Sequence, residues 1–166
     1  MLIRGALLIF LGICAALSWS QLTRFATWHA YAGLADDVLY GRAVPEDLQR
    51  FAPLLNQPPT ESCTTLRSGV PITLHLYAND VIAAEVGVGP LQFSDDDRLT
   101  AHRHATRTLL ANALACTPTD GNLWLSKALV ALALGEDQET IVAYIAMSER
   151  YAPHEGWISD RRAQLY

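Results

Sequence analysis

Charge is scarce in this chain, positive charge most of all. Only 17% of its 166 residues are charged, 12 basic against 17 acidic, for a net charge of −5. No basic stripe runs along it, which excludes a large electrostatic interface with nucleic acid or another polyanion. Cysteine is also rare, and none of the three lies in a C-x-x-C or Cys/His spacing, so a zinc site or a redox motif is not indicated. The chain has no G-x-S-x-G elbow and no glycine-rich phosphate loop. "HEGW", His154 to Trp157, lacks the second histidine of a metalloprotease motif. The best chemical cluster is "DDDRLTAHRH", Asp95, Asp96 and Asp97 ahead of His102 and His104. Histidines two apart on a helix point about 200° away from each other and cannot share an ion. The cluster therefore reads as an acidic helix start followed by solvated histidines, and His75 in "TLHLY" as a half-buried core residue. Nothing assembles a nucleophile, a base and an orienting group, so no catalytic, cofactor or metal residue is assigned and the chain is expected not to be an enzyme.

What the chain does have is apolar surface, 51% of its residues, concentrated at one end. Gly5 to Trp19 carries no charge, and Arg4 and Arg24 bracket a span of 19 residues, enough for an α-helix to cross a hydrocarbon core. Residues 1–21 are thus a transmembrane anchor or a secretory signal cleaved after Ser18. The anchor is favoured because Leu22, Phe25, Trp28, Ala32 and Val38 continue the apolar pattern at near-helical spacing, as if one helix ran on into the domain. Ile13 stands where a small residue is wanted before a lipidated Cys14. Residues 22–166 then form a domain with a net charge of about −6, expected in an oxidising compartment. There Cys63 and Cys116 would pair, closing a loop of 53 residues and contributing about 4 kcal/mol in the chain-entropy model. Two buried cysteines that never meet are the alternative.

The domain reads as helices. One runs from about Gln21 to Tyr40 and stops at Gly41; the next starts at Pro45, with Leu48, Phe51, Leu54 and Leu55 as its stripe, and ends before Pro58 and Pro59. "PITLHLY" has strand-like alternation, but no partner strand is evident and a lone strand cannot satisfy its own backbone, so a helix from Pro71 is expected, broken at "GVGP". Ser94 is the expected N-cap of a long helix to Ala115. Helices over 123–134 and 137–151 follow, joined at Gly135, with a short last helix from Glu155 or Gly156. The fold class is all-α: an N-terminal transmembrane or signal helix and an irregular helical bundle.

"ACTPTDGNLW", Ala115 to Trp124, partly returns as "RYAPHEGW", Arg150 to Trp157, and the second tryptophan follows the first by 33 residues. Helix, glycine turn, helix, then proline and a new tryptophan resembles a tetratricopeptide (TPR) repeat. In that resemblance Trp124 takes the large position of the first helix, Gly135 the turn, Tyr144 the aromatic position of the second helix and Pro153 the terminal proline. Lys127, Ala131 and Met147 depart from the pattern. The last 55 or so residues, with "DRRAQL" and the N-terminal apolar segment, also resemble small membrane-anchored helical proteins encoded with bacterial exopolysaccharide polymerisation and export genes. That resemblance implies a single-pass protein of the bacterial inner membrane with its domain in the periplasm. It implies a non-catalytic scaffold or adaptor whose partner is an integral envelope protein such as a polysaccharide polymerase or ligase. A small envelope polysaccharide-modifying enzyme and a periplasmic glycan-binding module are the rivals. The partner-facing strip expected on the first TPR-like helix is Asn122, Leu125, Leu129 and Leu132. Trp124 and Trp157 are core residues of the repeat or ligand platforms; Trp19 and Trp28 suit a membrane interface and the first helix.

Overall fold

The computed structural model describes residues 2–56, 62–67 and 69–163, with the backbone alone for 2–9, 24 and 67. The Pro58–Pro59 loop and the side chains of Arg4 and Arg24, which bracket the apolar span, lie outside the described residues. Among those residues there are eight α-helices and no strand: α1 (Leu2–Leu39), α2 (Leu48–Leu55), α3 (Cys63–Arg67), α4 (Val70–Glu85), α5 (Asp97–Cys116), α6 (Gly121–Ala133), α7 (Gln138–Tyr151) and α8 (Gly156–Ala163), with a 3₁₀ turn at Pro45–Asp47.

The expected helix from Gln21 is the second half of α1, which runs without a break for 38 residues, about 57 Å at 1.5 Å per residue. Its two halves differ. Trp28, Tyr31, Leu34, Ala35 and Val38 lie at helical spacing and pack with Phe51 of α2 and Leu74 and Ala78 of α4. Upstream, Phe10, Leu11, Ile13, Leu17, Trp19, Leu22 and Phe25 are all more than half exposed, and at 100° per residue they surround the helix rather than mark one face. Among the described residues no helix is long and apolar enough to cross a membrane. Of the span Gly5–Trp19, the side chains of residues 5–9 lie outside them.

Helix α4 is the centre of the bundle, touched by α1, α2, α3 and α5. It buries Ile72, Leu74, His75, Ala78, Asn79, Val81 and Ile82 on one broad side and leaves Thr73, Leu76 and Tyr77 half-buried and Asp80 exposed on the other. Polar His75 and Asn79 lie on its buried side and apolar Leu76, Tyr77 and Ala84 on its open one, so no single apolar stripe marks the helix and its sequence reads as strand-like as helical. Helices α4 and α5 make one antiparallel pair and α6 and α7 a second, with α6 also against α5 and α8. The starts of α5, α6 and α7 are capped alike: Asp96, Asp120 and Asp137 accept hydrogen bonds from the backbone N–H of Leu99, of Asn122 and Leu123, and of Thr140. Asp96 thus replaces Ser94 as the α5 cap; Ser94 instead accepts from the Asp96 N–H through its hydroxyl. Cys63 and Cys116 are joined in a disulfide with their Cα atoms 5.4 Å apart, tying the start of α3 to the end of α5.

The recurring turn is built differently at its two occurrences. A Cβ on Gly121 would overlap that of Ala152 and lie 3.0 Å from the Ala152 nitrogen and the Ser148 carbonyl, so the start of α6 can approach the end of α7 only with glycine there. Trp124 donates from Nε1 to the Pro118 carbonyl at 2.8 Å, fastening the turn. Gly156 meets nothing within 4 Å, and Trp157 is 54% exposed. Lys127 stands with its ammonium 5.3 Å from the Trp124 ring centroid and 4.5 Å from that of Tyr144. Cation–π attraction from two rings accounts for a lysine at a position where the repeat prefers leucine.

Candidate functional site: a polar concavity between α4, α6 and α8

Two adjoining hollows, of about 340 and 210 Å³, share Leu76, Asp80 and Arg161 and form one concavity bounded by α4, α6 and α8. Each helix delivers its polar groups for a local reason. On α4, "ND" interrupts an apolar helix: Asn79 is buried against α5, Asp80 is exposed, and both border the smaller hollow. On α6, Asn122, Ser126, Leu129 and Ala133 recur at i, i+4, i+7 and i+11 and face the hollow. Helix α8 is held down by Arg162, buried, which donates to the Ala152 carbonyl at 3.1 Å and to the hydroxyls of Ser148 and Ser159. Its neighbour Arg161 is thereby turned into the concavity, with Nη1 3.5 Å from Asn122 Oδ1.

The floor is polar and incompletely satisfied. Asn79, 5% exposed, donates from Nδ2 to Thr106 Oγ1 at 3.2 Å, while its Oδ1 has no partner. Arg103, 1% exposed, donates to the carbonyls of Ala133 at 2.8 Å and Pro90 at 3.0 Å, while its Nε has none. Ser126 Oγ, equally buried, has no partner either. Buried polar atoms of native proteins nearly always find a partner, so these three, two beside the smaller hollow and Ser126 beside the larger, require explanation. Asp80 makes no hydrogen bond or ion pair among the described residues. Its carboxyl pKa is raised by desolvation in the concavity, against the opposing pull of Arg161 and Arg103. The Arg103 pKa is in turn lowered by burial and supported by Asp80. At the mouth stand Tyr77, Asp120 and the exposed Trp157. Arg161 and Arg103 balance Asp80 and Asp120, so the hollow carries little net charge.

Only part of the expected partner strip reaches this surface. Asn122 and Leu129 line the concavity. Leu125 does not: it is wholly buried, with Ala152 and Ile158 around it. Leu132 is half-buried against Ala128, Ala131, Ile141 and Ile145 on the α7 side. Ser126 and Ala133, each one position further on, take their places, because small side chains leave the hollow open where leucines would fill it.

The histidines separate as well. His104 is exposed, but His102 is not solvated: it stacks on buried His75 with centroids 5.1 Å apart and planes 9° from parallel, and its Nε2 lies 3.2 Å from the His75 carbonyl. Burial, then the His102 charge, lowers the His75 pKa to about 4. Burial also lowers that of His102, although the bond to the His75 carbonyl pulls the other way. Among the described residues no three metal-ligating side chains come together.

Asn79, Asp80, Arg103, Ser126 and Arg161 were not singled out from the sequence. Only the polar pair inside apolar α4 could have drawn notice. No protein-family model matches the chain, and no curated protein or solved structure is similar to it.

Proposed function

We propose that the chain is a non-catalytic, membrane-tethered adaptor of the bacterial envelope, held in the inner membrane by the first half of α1 with a TPR-like helical domain in the periplasm. Its partner in this reading is an integral membrane protein of polysaccharide assembly or export, a polymerase or ligase, as the resemblance of the last 55 or so residues implies. The observation that carries the tether is α1 itself. Between Phe10 and Phe25 its large apolar side chains are uncovered and spread around the helix, the pattern of a helix that is buried in something; its downstream half is built into the core. With no break between them, whatever holds the first half fixes the orientation of the domain. The Cys63–Cys116 bond suits an oxidising compartment.

The test is affinity purification of the full chain from native, carbonate-washed membranes. Recovery with the membranes, together with an integral envelope protein, is expected. Release into the wash as a monomer would overturn the reading.

A further inference from the structure

We propose that the concavity between α4, α6 and α8 binds a neutral oligosaccharide, with Asn79, Asp80, Ser126 and Arg161 taking its hydroxyls and Trp157 stacked on a ring at the mouth. This goes beyond the adaptor reading: all of these residues lie outside α1, which borders the larger hollow only through Val38 and Leu39 at its downstream end.

Three observations lead to it. The first is the unused hydrogen-bonding capacity of the floor: an amide oxygen on Asn79 and a hydroxyl on Ser126, both on side chains more than nine-tenths buried, and both without partners. The second is the company they keep. Asp80 offers only acceptors and Arg161 only donors, and both border the two hollows at their junction. A ligand meeting all four must present donors and acceptors in close alternation, which is the chemistry of vicinal hydroxyls. Hydroxyls in the smaller hollow can donate to Asp80 or Asn79 Oδ1 and accept from Arg161, and those in the larger can donate to Asp80 and accept from Arg161 or Ser126. The near-zero net charge of the hollow disfavours a phosphate or uronate, which would meet the carboxylate of Asp80. The third is Trp157, a large aromatic ring left 54% exposed at the rim, able to cover the C–H face of a pyranose. The combined volume of the hollows falls in the range of small-molecule sites. An extended peptide would satisfy some of the polar groups but gives no reason for an uncovered indole beside them. Bound water could satisfy Asn79 and Ser126, and would leave Trp157 irrelevant.

The experiment uses the full chain in a zwitterionic detergent, since sugar-headed detergents would compete. It is applied to an array of neutral gluco-, galacto-, manno- and N-acetylglucosamine-configured oligosaccharides, with uronic-acid oligomers and extended peptides alongside, and binding is then titrated by tryptophan fluorescence. Saturable binding of a neutral oligosaccharide is expected. Trp157→Ala should weaken it about tenfold or more, with partial rescue by Trp157→Phe. Ser126→Ala should weaken it about three- to tenfold, the worth of one hydrogen bond. Neither variant should lower the melting temperature, because Trp157 is exposed and the Ser126 hydroxyl has no partner to lose. The proposal is overturned by the absence of neutral-oligosaccharide binding, by binding confined to uronates or peptides, or by binding that neither variant weakens. Co-purification of an envelope protein reads the adaptor separately, so one can fail without the other.

Discussion

Acidification from pH 7.5 to 4.5 should cost the fold about 2–3 kcal/mol through one side chain, His75. Its ring is 6% exposed, lies against His102 at 5.1 Å and has an Nδ1 without a partner. Burial, reinforced by the charge of His102, takes its pKa from 6.5 to about 4. Between those values the unfolded chain carries a proton on His75 that the folded chain does not, so stability rises with pH through the window and is complete above about 6.5. At 1.36 kcal/mol per pKa unit the whole shift is worth about 3 kcal/mol, most of it lost by pH 4.5. His102, also lowered, acts in the same sense. Asp80, whose pKa is raised, acts in the opposite one, and an Asp80→Asn background removes its part. Asp47 and Asp137 have pKa values below 3.8 and stay ionised at pH 4.5. The assay is urea unfolding of the full chain in zwitterionic detergent at both pH values, followed by far-ultraviolet circular dichroism, for the wild type and His75→Leu. The variant should be no less stable at pH 7.5, since it removes an unsatisfied buried atom, and should keep only the slope due to His102. Equal losses in wild type and variant would refute the assignment to His75.

Four further outcomes are expected. Reduction of Cys63–Cys116, or replacement of both residues by serine, should lower stability by about 4 kcal/mol in the chain-entropy model. Maleimide added to the unfolded, non-reduced chain should label Cys14 alone, the one free cysteine. Gly121→Ala should destabilise by about 1–3 kcal/mol through overpacking against Ala152, and the double variant with Ala152→Gly should recover most of the loss, as thermal melting would show. Leu125→Asp should abolish folding while Leu129→Asp leaves a folded chain, because Leu125 is fully buried and Leu129 borders the open concavity; circular dichroism of the pair decides it.

Helix boundaries were legible wherever a boundary has a local cause. Gly41 and Gly135 sit at positive φ where the apolar patterns of α1 and α6 stop, and Pro71 lies in the first turn of α4 as expected of a residue without an N–H. The α5 cap was misplaced by two residues because Ser94, Asp95, Asp96 and Asp97 are all chemically able to cap, and only the backbone at Asp96, extended at φ −65° and ψ 120°, selects among them. The solvated reading of His102 failed for a different reason. A histidine on an acidic, polar helix start carries no sign of the neighbouring helix, and here α4 presents His75 to it.

The concavity shows the same limit more sharply. Asn79, Ser126 and Arg161 come from three helices, separated by 47 and 35 residues, and no local pattern records that α4, α6 and α8 line one hollow. The expected strip on α6 went astray at the step from i+3 to i+4. Choosing Leu125 and Leu132 assumed that a recognition face is apolar and large, but α6 has α5, α7 and α8 around it, and its leucines are consumed in covering them. The side left over for a ligand is the side where bulk is missing, and it is written in the small residues Ser126 and Ala133. The buried serine is the informative one of the two. An alanine there would pack as well and leave no hydroxyl unsatisfied, so packing and stability alone give no reason for Ser126, whereas a ligand that completes its hydrogen bond does.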